Sequence, residues 1–107
     1  MATLPTDLPV TYSDVMQAAQ VLAGVVVRTP LLESSALNEQ AGGRLLFKPE
    51  TLQVTGSFKF RGAYNHISRL DASVKKTGVL AYSSGNHAQG TAAAAHYCGT
   101  PALIVMP

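Results

Sequence analysis

The first helical pattern of the chain begins just after its N-terminal prolines. Thr11 and Ser13 are both candidate N-caps, and Thr11-x-x-Asp14 is a weak capping box with aspartate in place of glutamate. Gly24 is the expected stop signal. Between these signals, apolar residues recur at helical spacing at Val15, Ala18, Ala19 and Leu22. We therefore predict an amphipathic helix in this segment.

A second helical pattern runs from Lys59 to about Leu70. Its apolar positions recur at helical spacing and are Phe60, Ala63, Tyr64 and Ile67. This periodicity favours a place in the core for Phe60 and Tyr64 over a role in binding a ligand.

Between these two helices the apolar runs are short. Leu31-Leu32 begins one predicted strand, and Arg44–Lys48 forms another. Ser34 or Ser35 is the predicted N-cap of a short helix that ends at Gly42-Gly43. No internal repeat and no low-complexity linker divides the sequence into separate units.

The last third of the chain alternates strand, helix and strand. We predict strands from Gly78 to Tyr82 and from Ala102 to Met106, with a helix from Asn86 to Cys98 between them. Residues 78–107 thus form a βαβ unit with parallel strands and a crossover helix. Because Ala92–Ala95 have little side-chain bulk, we expect this helix to approach the sheet closely. The predicted fold class is α/β, a parallel sheet with flanking helices.

The composition excludes several classes of function. Of the 107 residues, 13% are charged and 47% are hydrophobic, and much of the hydrophobic share is alanine. No apolar run reaches the roughly 18 residues of a membrane helix, and Met1–Tyr12 lacks the pattern of a secretory signal. The net charge of +2 comes from scattered residues and forms no nucleic-acid stripe. We expect neither a membrane nor a nucleic-acid partner.

Cysteine content and strand number indicate a cytoplasmic piece of a larger protein. Cys98 is the single cysteine, which excludes an intrachain disulfide framework and fits a reducing cytoplasm. Its alanine-rich setting favours a small buried hydrophobe over a nucleophile. Residues 1–9 form a predicted loose leader. Because parallel sheets normally have more strands, covered on both faces, we expect the chain to be part of a larger α/β protein or to need a partner.

Lys59 is the first candidate for covalent chemistry. It stands between Phe58 and Phe60, just after a Gly-Ser turn and at the predicted mouth of a helix. A lysine in partly apolar surroundings loses its proton more easily than a free one, and a neutral amine can form a Schiff base with an aldehyde. The alternative is an ordinary first-turn helix lysine in water.

The loop from Ser83 to His87 is the second candidate. It follows a strand at the carboxyl end of a parallel sheet and opens a helix, where unpaired N–H groups and the helix dipole attract anions. Two serine hydroxyls and Asn86 add donors, so the loop suits a carboxylate or a phosphate. The alternative is that Ser84 or Asn86 only caps the helix. A positive charge is disfavoured at this position, which favours a neutral imidazole at His87.

Other ligand motifs are missing from the sequence. No G-x-G-x-x-G follows the strand, and there is no Walker A motif. His66 and His96 are expected on the surface or on a helix face, and with Cys98 they do not make a metal set, because there is one cysteine and no His-x-x-x-His pair.

Four segments of the chain resemble the fold-type II pyridoxal-phosphate enzymes, and they are Arg28–Leu31, Leu46–Glu50, Ser57–Ala63 and Ser83–Gly90. Within that group the chain is similar to the branch that contains threonine dehydratase and serine racemase. Phe60 and His87 separate it from threonine synthase and cysteine synthase. The resemblance extends from about Val10 to Pro107 and implies an incomplete, N-terminal part of a tryptophan synthase β-like fold.

The resemblance implies a role for each matched residue. Lys59 matches the lysine that forms a Schiff base with pyridoxal 5'-phosphate and then takes the α-proton of the substrate. Phe58 matches the ring that packs on the pyridine, and Asn86 matches the residue that hydrogen-bonds the ring hydroxyl. The loop that holds the substrate carboxylate matches Ser83, Ser84, Gly85 and His87. Ser84 also matches the serine that faces the lysine across the cofactor in the racemase.

The activity that this resemblance implies is conversion of L-threonine to 2-oxobutanoate and ammonia, for isoleucine synthesis or threonine catabolism, in a homo-oligomer. Dehydration or racemisation of L-serine is the first alternative. The family's glycine-rich phosphate loop and its pyridine-nitrogen contact lie downstream of the matched segments, so we expect the chain alone to be inactive. The alternatives outside enzymes are a truncated non-catalytic remnant and a module that binds carboxylate or phosphate without covalent chemistry.

Overall fold

A computed structural model describes residues 9–107 of the chain. The predicted loose leader, residues 1–9, lies outside the described residues except for Pro9. The elements in chain order are α1 (Tyr12–Leu22), β1 (Leu32–Glu33), α2 (Ser35–Ala41), β2 (Leu46–Phe47), two 3₁₀ turns (Glu50–Leu52 and Val54–Gly56), α3 (Lys59–Ile67), α4 (Ala72–Thr77), β3 (Val79–Tyr82), α5 (Asn86–Tyr97) and β4 (Ala102–Val105).

Helix α1 begins with the predicted capping box. The Thr11 backbone N–H donates to the Asp14 carboxylate at 2.7 Å, and the Asp14 N–H donates to the Thr11 hydroxyl at 3.3 Å. The aspartate therefore replaces the usual glutamate without loss of either bond. Leu22 is the last residue of the helix and is buried, and Gly24 follows in the left-handed region with φ of 76°.

Strands β1 and β2 form a small antiparallel pair, with Leu32 opposite Phe47 and Glu33 opposite Leu46. The strand predicted over Arg44–Lys48 is shortened to two residues. The reason is that the Leu45 N–H donates to the Asn38 side-chain oxygen of α2, at 2.7 Å, rather than to a neighbouring strand. Helix α2 begins after Ser34 and ends at Gly42, as predicted.

The core lies where α3 packs on α5. Phe60 is fully buried, and its ring centroid lies 5.8 Å from that of Tyr64 and 5.3 Å from that of Tyr97. The other buried residues of this cluster are Ile67, Ala94 and Ala95. The predicted place of Phe60 in the core is confirmed, and Tyr64 packs against it half-buried.

Helix α4 was not predicted from the sequence pattern. The chain turns after Ile67, where the Leu70 N–H donates to the Ile67 carbonyl at 3.2 Å, so α3 ends earlier than the predicted Leu70. The side chain of Lys75 then reaches back and donates to the Ser68 carbonyl at 2.7 Å. This short helix has no buried residue, and it therefore carries no apolar periodicity that the sequence could show.

Strands β3 and β4 are parallel, with Val79 opposite Ala102 and Tyr82 opposite Val105, and α5 connects them. The predicted βαβ unit and the α/β fold class are confirmed. Alternate residues of β3, Leu80 and Tyr82, are exposed together with Leu103 of β4. One face of this parallel pair is thus uncovered within residues 9–107.

Helix α5 also packs closely against the start of α3, at Gly90. A Cβ atom at Gly90 would lie 3.0 Å from the Lys59 carbonyl carbon and 3.0 Å from the Phe60 nitrogen. Both are backbone atoms, which cannot rotate away as a side chain does. The missing side chain at position 90 therefore lets α5 lie directly against the start of α3.

Gly90→Ala is expected to destabilise the protein, whereas Gly62→Ala, in α3, is its matched control. At Gly62 a Cβ meets nothing within 4 Å, so the helix propensity of alanine raises the free energy of unfolding by about 0.5–1 kcal/mol. At Gly90 the overpacking, of about 1–3 kcal/mol, outweighs that gain. Denaturant unfolding measures both variants. Equal effects would show that α5 does not press on α3.

Candidate functional site

Lys59 lies at the start of α3, directly after a strained turn. Thr55 and Gly56 both adopt left-handed backbone conformations, with φ of 64° and 70°. For a β-branched residue such as threonine this conformation is unfavourable and is retained only where the surrounding structure imposes it. Ser57, which is buried, follows this turn, and its hydroxyl accepts from the Lys59 N–H at 3.4 Å. The turn therefore sets where the first turn of α3 begins.

Phe58 and Lys59 are both exposed at this helix start. The Lys59 ammonium lies 5.3 Å from the centroid of the Phe58 ring, and the Phe58 side chain is 62% exposed. Phe60 points the other way, into the core. Of the two interpretations that the sequence left open for Lys59, residues 9–107 show the exposed lysine in the first turn of a helix. What the chain presents is an accessible primary amine beside one accessible aromatic face.

The loop before α5 leaves the N–H groups of the helix's first turn without a side-chain partner within residues 9–107. Gly85 is the N-cap of α5, and no side chain caps this helix within the described residues. The alternative in which Ser84 or Asn86 serves as the cap is therefore excluded. The Ser83 hydroxyl accepts from the Gly85 N–H at 3.2 Å, while the Ser83 N–H continues the strand ladder to Val105. The first turn of α5 thus keeps its positive dipole end for an anion.

The two candidate segments lie at the same end of the α3–α5 pair. Gly90 touches the backbone of Lys59 and Phe60, and Asn86 precedes Gly90 by four residues, about 6 Å along the helix axis. The first turn of α5 is therefore adjacent to the first turn of α3. The chain therefore brings Lys59 and the Ser83–His87 loop to the same region, and a shared site there stays a prediction.

His87 faces a different part of this region. It lines a cavity of about 420 Å³ between α3, α5 and β3, together with His66 and Thr91. The lining residues Gly62, Ala63 and His66 lie three, four and seven residues after Lys59, on one face of α3. His66 was predicted on the surface or a helix face, and its exposed side chain lines this cavity from α3. The cavity therefore extends along the same helix face that begins with Lys59.

Sequence reasoning missed a polar network beside the lysine. The Arg61 guanidinium donates to both oxygens of Glu50, at 2.6 and 2.7 Å, and the Thr29 hydroxyl donates to the same carboxylate at 2.6 Å. Gln53 is buried and hydrogen-bonds Val27 through both atoms of its amide. Only 13% of the residues are charged. The glutamate and the arginine within two of the matched motifs were therefore the available sequence signal for this network.

The hydrogen bonds from Arg61 lower the pKa of Glu50 from 4.5 to about 2, against the opposing effect of burial. Because the folded pKa is below the unfolded one, the pair stabilises the fold fully above about pH 4.5, and this contribution is lost as the pH falls towards 2. We expect the free energy of unfolding to fall across that window by up to about 3 kcal/mol for this group.

Acid titration of stability tests this expectation with two variants. Glu50→Gln is expected to flatten the fall between about pH 5 and pH 2, because no proton is then taken up at position 50. Glu33→Gln is the control: Glu33 also pairs with an arginine, but that arginine is 73% exposed, and exposed pairs contribute little. Parallel pH profiles of wild type and Glu50→Gln would contradict the expectation.

Two further features of residues 9–107 bear on the chemistry. Cys98 is half-buried against the core cluster, and burial raises the pKa of its thiol, which suits a packing residue better than a nucleophile. No group of three metal-ligating side chains and no helix long and apolar enough to cross a membrane is found in this range.

Comparison with known proteins gives one family and several similar enzymes. The family model described as "Pyridoxal-phosphate dependent enzyme" matches residues 22–107. An L-threo-3-hydroxyaspartate ammonia-lyase from Pseudomonas is 53% identical over 96 residues, which are 90% of this chain and 30% of that protein. An L-threonine ammonia-lyase from Thermotoga maritima is 53% identical over 98 residues, 92% of this chain and 24% of that protein.

The backbone gives the same result. A serine racemase from Dictyostelium discoideum superposes with a TM-score of 0.86 at 42% sequence identity, covering 92% of this chain and 32% of that chain. The sequence therefore spans between about a quarter and a third of the length of these similar proteins.

Proposed function

Because the chain belongs to the pyridoxal-phosphate dependent enzyme family, we propose that it carries the reactive lysine of an ammonia-lyase that acts on L-threonine. The family and the cofactor are those that the sequence predicted, and the similar structures confirm the predicted fold type. The observation that carries the proposal is that the exposed Lys59 begins α3 where the backbone of α3 meets α5, close to the uncapped first turn of α5. An amine and a helix N-terminus that are brought together in this way suit a molecule with an aldehyde and a carboxylate.

The residues at this site fit the cofactor by their chemistry. Lys59 offers a primary amine for the cofactor aldehyde, and the exposed face of Phe58 offers a surface on which a planar ring can stack. Asn86, at the first position of α5, offers an amide for the ring hydroxyl. When bound, the cofactor withdraws electrons from the substrate and makes its α-proton acidic.

Lys59 has two tasks in this proposal. Its Nζ atom first holds the cofactor covalently and, once the substrate has taken that position, accepts the substrate α-proton as general base. For the second task the amine must be unprotonated and must face the substrate. The exposed side chain of Lys59 satisfies the requirement of access, and water is excluded only when the rest of the site covers it.

The loop before α5 would bind the substrate carboxylate. We assign this task to Ser83, Ser84, Gly85 and His87, and the support is the free dipole end of α5. Ser84 is exposed and carries the one hydroxyl of this loop that makes no hydrogen bond within residues 9–107. It is therefore the second candidate for proton transfer, in line with its resemblance to the serine that faces the lysine in the racemase.

The proposal extends beyond the described residues in three respects. The chain corresponds to the N-terminal portion of a catalytic domain, and residues elsewhere hold the cofactor phosphate and the pyridine nitrogen. The support is that the chain spans 24–32% of the length of its relatives. The complete enzyme is a homo-oligomer that serves isoleucine synthesis or threonine catabolism. Its location is the cytoplasm, which the single cysteine supports.

A substrate panel tests the choice of L-threonine. The protein from its complete gene is given L-threonine, L-serine and L-threo-3-hydroxyaspartate, and 2-oxo acid release and D-serine formation are measured. A pocket that recognises the threonine methyl gains about 1–3 kcal/mol over serine, so kcat/KM for threonine is expected to be about 10–200-fold higher. A preference for the hydroxyaspartate, or racemisation of serine without 2-oxo acid, would replace the threonine assignment while keeping the family.

A further inference from the structure

Glu50 and Arg61 form the most enclosed ion pair of residues 9–107. Their side chains are 15% and 28% exposed, and the guanidinium donates two parallel hydrogen bonds to the two carboxylate oxygens. The Thr29 hydroxyl donates a third, at 2.6 Å. Such a fork fixes direction as well as distance, because both partners are planar.

Gln53 forms a second anchor next to this pair. Its amide nitrogen donates to the Val27 carbonyl at 2.8 Å, and its amide oxygen accepts from the Val27 N–H at 2.9 Å. Arg61 also donates to the Val27 carbonyl, at 3.4 Å. The segment from Val27 to Thr29 is therefore tied both to the turn before Lys59 and to the helix after it.

The loop held by these two anchors is the one that carries the lysine. Lys59 lies two residues before Arg61 and six after Gln53, and the strained Thr55-Gly56 turn lies between the anchors. Lys59 itself forms no ion pair within residues 9–107. If the first turn of α3 rotates, the Lys59 amine moves with it. The bonds that Arg61 makes to Glu50 hold this turn in place.

Building on the proposed function, we propose that the Glu50–Arg61 pair, with Gln53 and Thr29, is a positioning network that directs the Lys59 amine towards the cofactor. It acts through the backbone of α3 and touches neither substrate nor cofactor. Because the network holds the direction of the first turn of α3, the fork geometry matters more than the charge. Arg61→Lys keeps the positive charge but not the two parallel hydrogen bonds. It therefore distinguishes a positioning role of Arg61 from a contribution to stability alone.

The chain supplies a matched control for this network. Arg44 also binds both oxygens of a glutamate, Glu33, at 2.7 and 2.8 Å, but this pair joins β1 to the segment before β2, far along the chain from Lys59. Its arginine is 73% exposed. Arg44→Lys makes the same chemical change as Arg61→Lys at a pair that makes no hydrogen bond to the lysine loop within residues 9–107.

The test measures how fast Lys59 becomes labelled. Three proteins are compared, each from the complete gene: wild type, Arg61→Lys and Arg44→Lys. Each receives pyridoxal 5'-phosphate, and borohydride is added at timed intervals before the peptides are mapped by mass spectrometry. Thermal unfolding of each protein is recorded in parallel. We expect Arg61→Lys to lose at least tenfold in the rate at Lys59, with the rate at the exposed Lys76 and the folded fraction at the labelling temperature unchanged. Arg44→Lys is expected to match wild type.

The outcomes separate the two proposals. Wild-type labelling at Lys59 in Arg61→Lys overturns the positioning role and leaves the proposed function standing. Absence of a Lys59 label in wild type overturns the proposed function and the positioning role with it. If Arg61→Lys does not fold, Glu50→Asp replaces it in the test, because this variant keeps the charge and shortens the reach of the carboxylate. The criterion is again the labelling rate at Lys59.

Discussion

Replacing Lys59 with alanine is expected to abolish release of 2-oxobutanoate from L-threonine in the complete protein. The variant loses the atom that holds the cofactor and the base that takes the α-proton, and loss of a general base alone slows a reaction about 10²–10⁴-fold. The fold should persist, because the Lys59 side chain is exposed and contacts only the Phe58 ring among its aromatic neighbours. Turnover assays and circular dichroism on the same preparation separate lost chemistry from lost structure.

The control for this variant is Lys76→Ala rather than Lys75→Ala. Lys76 is exposed and makes no side-chain hydrogen bond within residues 9–107, whereas Lys75 donates to the Ser68 carbonyl at 2.7 Å. Lys76→Ala should therefore keep wild-type turnover. A Lys59→Ala protein that retained more than about a hundredth of wild-type activity would show that another group is the base.

Phe60→Ala is expected to lower the free energy of unfolding by about 3–5 kcal/mol. The side chain is completely buried and contacts the rings of Tyr64 and Tyr97, so alanine leaves a cavity at the centre of the α3–α5 contact. A loss of this size approaches the whole stability of a small domain. Urea unfolding monitored by circular dichroism measures it.

Phe58→Ala is the matched control, because it removes the same side chain two residues earlier. Phe58 is 62% exposed, so its loss should change the free energy of unfolding by less than about 0.5 kcal/mol. It should instead weaken binding of the cofactor, measured by absorbance titration. The opposite pattern, with Phe58 more important for stability than Phe60, would show that α3 is rotated relative to the structure described.

Elements with a complete local signal were predictable from sequence. The capping box at Thr11 and the alternation of β3, α5 and β4 each use residues close together in the chain, and periodicity records such patterns directly. Helix α4 had no such signal, because its six residues bury nothing. Its position depends on the turn after Ile67 and on the Lys75 bond to Ser68, which periodicity does not record.

The motifs of the candidate site were predictable from the sequence, whereas the side chains that surround them were not. Lys59 and the Ser83–His87 loop were identified because each combines reactive or donor groups with a helix start. The network of Glu50, Arg61 and Gln53 was missed because most of its bonds join residues 11 to 34 positions apart, and no local pattern encodes such contacts. Only the fold shows that Gln53 is buried with its amide paired.

The account depends on Lys59 as the covalent anchor of the cofactor, and one measurement tests this most directly. The protein from its complete gene is incubated with pyridoxal 5'-phosphate, reduced with borohydride, digested and mapped by mass spectrometry. We expect a phosphopyridoxyl group confined to Lys59. A label distributed over Lys48, Lys75 and Lys76, or no label, would contradict it.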